Sequence, residues 1–194
     1  MFRQKHTVSK TISVNTCLAL SALCLFVSCT PIKTGDEGAT ETVQTEPPIF
    51  SSDEDALKAA KNSYERYFEV SDDIASRGGD GREGISTLVT PEFLVTTNEG
   101  FDDLARDSLH TSGRTSVRST TLQSYVDIDG LAVVTVYACV DVSEVAVLNL
   151  AGENVTPADR ANYLSLVAEM VSESLTSQTL VMSSNEPWSS ASFC

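Results

Sequence analysis

The spacing of hydrophobic residues changes several times along this chain, and each change marks a boundary. An apolar run at residues 17–27 comes first. Residues 30–52 follow, rich in proline, threonine and acids, with almost no apolar periodicity. Helical spacing then begins: Ala56, Ala59, Ala60, Tyr64, Tyr67, Phe68 and Ile74 predict an amphipathic helix over residues 52–76, with Ser and Asp residues at its start suited to an N-cap. Gly78-Gly-Asp-Gly81 breaks that pattern. Shorter helical stretches are predicted at 84–88, at 91–97 and at 102–110, the last with Leu104 and Leu109 turned inward.

From residue 116 the period falls to two. Residues 116–128 alternate, and 131–142 form a β-branched, aromatic run. Asp127-Ile-Asp-Gly130 between them is a hairpin signal. A third strand is expected at 144–150, ending at Ala151-Gly152, then a loop at 156–162 and strands at 163–175 and 178–183. Residues 164–171 would also suit a helix by composition, but a strand gives the last segment a hairpin partner. Helices followed by an antiparallel meander make an α+β plan, in which a long N-terminal helix and short helices pack on a curved antiparallel sheet.

The first apolar run is too short to span a bilayer, which takes about 20 such residues. Arg3, Lys5 and Lys10 precede it, so the two together have the build of a signal peptide. Leu25-Phe-Val-Ser-Cys29 resembles the bacterial lipobox, in which a small residue precedes a cysteine whose sulfur receives diacylglycerol. The expected layout is a leader at 1–28, cut between Ser28 and Cys29, a flexible tether at 29–52 and one domain at 53–194. Phe26 stands where the lipobox usually has leucine, and it obstructs an ordinary secretory cut after Ser28. Such a cut after Cys29 stays open as the alternative.

Export bears on the cysteines. Cys17 and Cys24 leave with the leader and Cys29 takes lipid, so Cys139 and Cys194 remain, either bridged or as two free thiols. Neither has the neighbours of a metal site. The chain carries 13 basic and 27 acidic residues, a net charge of −14, and losing the three basic residues of the leader makes it −17. Such a surface repels nucleic acid and anionic lipid, leaving the lipid anchor as the expected link to the membrane. The expected location is the extracytoplasmic face of the cell membrane.

Several segments together carry a family resemblance: the helix with Tyr64 and Tyr67, the strand from Thr121 to Ile128, Ala138-Cys-Val-Asp-Val-Ser143, Gly152, Arg160 and the closing Trp188-Ser-Ser-Ala-Ser-Phe-Cys194. They resemble the actinobacterial secreted lipoproteins with an NTF2-like (SnoaL-like, cystatin-like) domain, over most of the chain after the leader. The resemblance implies a cone-shaped fold and a bridge from the second strand of the meander to the C-terminal tail. It implies no activity. Enzymes of the NTF2-like superfamily place a His, Asp or Tyr inside the cone for acid-base work, which makes residues of those types in this chain the candidates.

Asp141 shares a strand face with Cys139 and could point into the concave side; otherwise it is an acid satisfied by nearby backbone or arginine. Tyr64, Tyr67 and Tyr125 could line a pocket, although aromatic residues at such spacing commonly form core. His110 is expected at the surface. Asp127 and Asp129 lack the further ligands of a calcium loop, and Asn154-Val-Thr156 is a glycosylation sequon without meaning in a bacterium. The glycine-rich stretch at 78–84 has no lysine for a phosphate. No cofactor is expected. The reading is a noncatalytic binding or accessory module of the cell envelope, whose partner is an envelope protein or a small ligand. A pocket enzyme of hydratase or isomerase type is the alternative.

Overall fold

A computed structural model of the chain describes residues 47–189 and 193–194. The expected leader, Ser28, Cys29 and most of the tether lie outside the described residues.

Helix α1 spans Asp53–Ser76. The Ser52 hydroxyl caps it by accepting from the Asp55 amide at 3.2 Å, and Asp53, Glu54 and Asp55 place negative charge at the positive end of the helix dipole. Ala56, Ala60, Tyr64, Tyr67 and Ile74 form its buried face. Ile49 and Phe50, expected in the tether, already pack into the core, with Phe50 only 3% exposed. The helix stops at Gly78 and Gly79, both in the left-handed region. A Cβ on Gly79 would lie 2.7 Å from the Phe101 carbonyl, so glycine is required where the chain turns against the next helix.

A 3₁₀ helix, Arg82–Thr87, covers the first of the short helical stretches. The two expected after it are one helix, α2, spanning Pro91–Arg106. Thr90 caps it, Pro91 opens it, and Phe93, Leu94, Thr97, Phe101 and Leu104 keep a single face. Gly100 costs the helix only about 1 kcal/mol and does not break it. Beyond Arg106 the reading as helix fails: Ser108 takes a positive φ, and Leu109–Ser112 is a strand, β1.

The main sheet is an antiparallel meander of β2 (Ser116–Ile128), β3 (Leu131–Asp141), β5 (Tyr163–Ser172) and β6 (Leu180–Pro187), in that order, and it is not closed. Asp129 and Gly130, both at positive φ, make the two-residue turn that sets Ile128 opposite Leu131. Residues 164–171 are strand, and β6 runs on to Pro187, past the expected end at 183. The third expected strand is shorter and belongs elsewhere. β4, Ala146–Asn149, pairs with β1 in a separate two-stranded sheet. Both edges of β3 are already taken by β2 and β5, so β4 has no place beside it. The Arg160 guanidinium draws the connection together, donating to the Val145 and Val142 carbonyls at 2.7 and 2.8 Å.

Alternation on the strands divides the sheet into two faces. Ala132, Val134, Val136, Ala138 and Val140 of β3, with Leu166, Ala168 and Met170 of β5, are buried in the core that includes the apolar face of α1. On the opposite face Cys139 bridges to Cys194, with Cα atoms 5.1 Å apart across 55 residues of chain. Tyr137 packs edge-on against Trp188 and Phe193 beside that bridge, and the Trp188 amide donates to the Ser165 carbonyl at 2.8 Å.

Two stability changes are expected. Gly100→Ala should raise unfolding stability by about 0.5–1 kcal/mol in denaturant titration, since nothing lies within 4 Å of the added Cβ and the backbone is helical. Cys139→Ser should lower stability by roughly 2–4 kcal/mol, and reductant should lower the melting temperature of the parent but not of the variant.

Candidate functional site

The expected site residues do not converge. Tyr64 lies on the buried face of α1, fully enclosed, with its hydroxyl donating to Asn185 Oδ1 at 2.7 Å. Burial pushes that phenol far above its ordinary range, the neighbouring Tyr67 adds to the rise, and the Asn185 bond opposes it. Tyr64 is therefore a neutral core group. Tyr67, one turn on, is also buried and its phenol is raised for the same reason. Its hydroxyl faces Ser71 and Thr97, whose own buried hydroxyls make no hydrogen bond of regular geometry.

Tyr125 stands apart on β2. Its hydroxyl accepts from the Phe50 amide at 3.0 Å, and its ring meets Phe50 edge-on, so it fastens the entry of the domain to the sheet. Asp141 ends β3 with Cys139 on the side of the sheet that carries the C-terminal tail, not on the side that holds α1. Ser143 donates to the Asp141 carboxylate at 2.9 Å and Arg118 approaches at 3.5 Å. The Ser143 bonds first, and then Arg118, hold it below the usual carboxylate range. An acid held ionised in this way is the opposite of a general acid poised near neutrality. His110 lies in β1, half-buried, beside a surface groove that includes Leu109 and Leu150.

What the strands and α1 enclose is filled. Tyr64, Ile74, Ile85, Val134, Val136, Val140, Met170 and Met182 are each under 2% exposed. The hollows around them are open grooves. One, of about 380 Å³, runs between α1 and α2 with Tyr67, Phe68, Phe93 and Phe101 as its apolar lining and Ser71, Asp72 and Thr97 as its polar one. Sequence reasoning placed Tyr67 correctly on α1 but missed Thr97 and Asp72. Asp72 is committed to structure, since its two oxygens accept from the Thr115 amide and hydroxyl at 2.7 and 2.8 Å. Among the described residues no group of three His, Cys, Asp or Glu could hold a metal ion, and no helix is long and apolar enough to cross a membrane.

No protein-family model and no characterised protein matches the chain in sequence. Among solved structures, the intermembrane space region of the chloroplast protein ARC6 aligns at 11% identity over 69% of this chain and 97% of that one, with a TM-score of 0.49. A de novo designed β-sheet protein aligns at 13% identity over 73% of this chain and 97% of its own, with a TM-score of 0.33.

Proposed function

We propose that the chain is a lipid-anchored envelope protein, held through Cys29 at the extracytoplasmic face of the cell membrane, whose domain is a noncatalytic binding or accessory module. The observation that carries the reading is the Cys139–Cys194 bridge, because disulfides form and persist outside the reducing cytoplasm. It agrees with the basic, apolar leader and with the lipobox-like Leu25-Phe-Val-Ser-Cys29. The acidic balance of −14 gives the domain no electrostatic affinity for anionic lipid, which leaves the acyl chains to hold it.

Two features support a noncatalytic module. The space between α1 and the sheet is occupied by side chains, and Asp141 is ionised and bonded on the other face. A hydratase or isomerase would need a closed pocket with a carboxyl group of raised pKa. An NTF2-like cone is the finer form of the fold we favour: register shifts at Val117/Ser119, Leu122/Ser124 and Glu169/Met170 are the irregularities that bend strands around a helix.

The anchor is tested by metabolic labelling with palmitate in a bacterial host. The parent should incorporate label and Cys29→Ala should not. Equal labelling of the two, or an unlabelled parent found wholly in the soluble fraction, would overturn lipidation at Cys29.

A further inference from the structure

The face of the main sheet that turns away from α1 is covered unevenly. At one end the tail lies on it, with Trp188 and Phe193 against Tyr137 and the disulfide at Cys139. At the other end Val126, Val133, Val171 and Val181 pair in one register row across all four strands. The four valines do not pack against the core; Val126 is 46% exposed and the other three are half-buried. Ile128 and Leu131 form the next pair beside them, and Leu175, 56% exposed, sits over the Gly130 turn. This is a contiguous apolar strip on a regular sheet, where isolated exposed apolar residues would need no explanation.

Its surroundings are of one sign. Asp129 is exposed in the turn that closes this end, and Glu169 lies in the next row of the same face, whereas Asp127 turns to the α1 side and accepts from the Tyr125 hydroxyl. Strands β3, β5 and β6 contain no lysine or arginine, and the single arginine of β2, Arg118, is at the far end against Tyr163 and Asp141. Like charge argues against a second copy of this chain on the strip, since both faces would bring the same carboxylates together. It argues equally against an anionic bilayer. Residues 30–46 of the chain itself carry four acids and one lysine, so they do not complement the strip either.

We propose that this strip docks a basic protein segment with apolar side chains, which lays its apolar residues on the valine row and its cations against Asp129 and Glu169. The proposal rests on reading the domain as a binding module and is independent of the anchor. The probe is a fluorescent synthetic peptide of alternating lysine and valine, titrated by anisotropy into the full chain in neutral detergent, with a glutamate and valine peptide as its counterpart. The parent should bind the basic peptide at least about tenfold more tightly than the acidic one. Val133→Thr with Val171→Thr should remove most of that affinity, while Val95→Thr, on an exposed residue of α2, should not.

Asp129→Asn removes one charge at the exposed turn and keeps a side chain that tolerates its positive φ, so it reads the same surface should the paired threonine variant fail to fold. It should weaken the basic peptide and strengthen the acidic one. Unchanged affinity in folded variants would overturn the proposal, as would equal binding of both peptides. So would a dimer abolished by the threonine variant, or binding to phosphatidylglycerol vesicles without binding to peptide. Peptide binding that survives while palmitate labelling fails overturns the anchor alone. The converse overturns the docking strip alone.

Discussion

The arrangement of the domain depends on α1 burying its apolar face in the core it shares with one face of β3 and β5. Ala56 and Ala60 present no bulk, so the backbone at that end can come close to its neighbours, and Tyr64 fills the middle with its hydroxyl satisfied by Asn185 on β6. The matching residues of β3 and β5, Val134, Val136, Ala138, Ala168 and Met170, are fully enclosed. Side chains alternate strictly along a strand, so a slip of one residue in either pairing would turn this set outward. The Asp129-Gly130 turn guards against such a slip between β2 and β3. Each enclosed valine or methionine contributes on the order of 1.5–3 kcal/mol of burial, which makes the register costly to change.

With the interior filled, the recognition proposed for this domain belongs to its outside. One end of the outer face is closed by the tail, whose disulfide spans 55 residues and stabilises the fold by roughly 4 kcal/mol in the chain-entropy account. The other end keeps its valine row open. The same strands therefore supply a core on one side and, on the other, a surface divided between a latch and a vacant apolar strip. The tyrosines that the sequence offered for chemistry serve packing instead: Tyr64 and Tyr67 in the core, Tyr125 at the domain's entry.

Much of this was legible in the residues. Period-two alternation located β2 and β3, and Asp129-Gly130 located their turn, because both signals are local. The Cys139–Cys194 pair followed from the cysteine count and the family resemblance together. Long-range competition hid the rest. Nothing within residues 144–150 says that β3 has no free edge, so β4 could not be assigned to a separate sheet with β1. The stretches expected at 91–97 and 102–110 join into one helix, because the face formed by Thr97 and Phe101 outweighs the cost of Gly100 between them. For Asp141 the alternation was read correctly, but which face held the helix was a tertiary fact. The valine row needs four strands in register before it exists at all.

The most direct test of a solid interior is a methyl-resolved NMR titration of the protein with a small neutral apolar ligand such as benzene. With the space between α1 and the sheet filled, shifts should be confined to outward methyls such as Val126, Val133, Val171 and Val181. Saturable shifts at Val134, Val136, Met170 and Met182 would mean that the interior opens to a ligand, and would contradict the placement of recognition on the outer face.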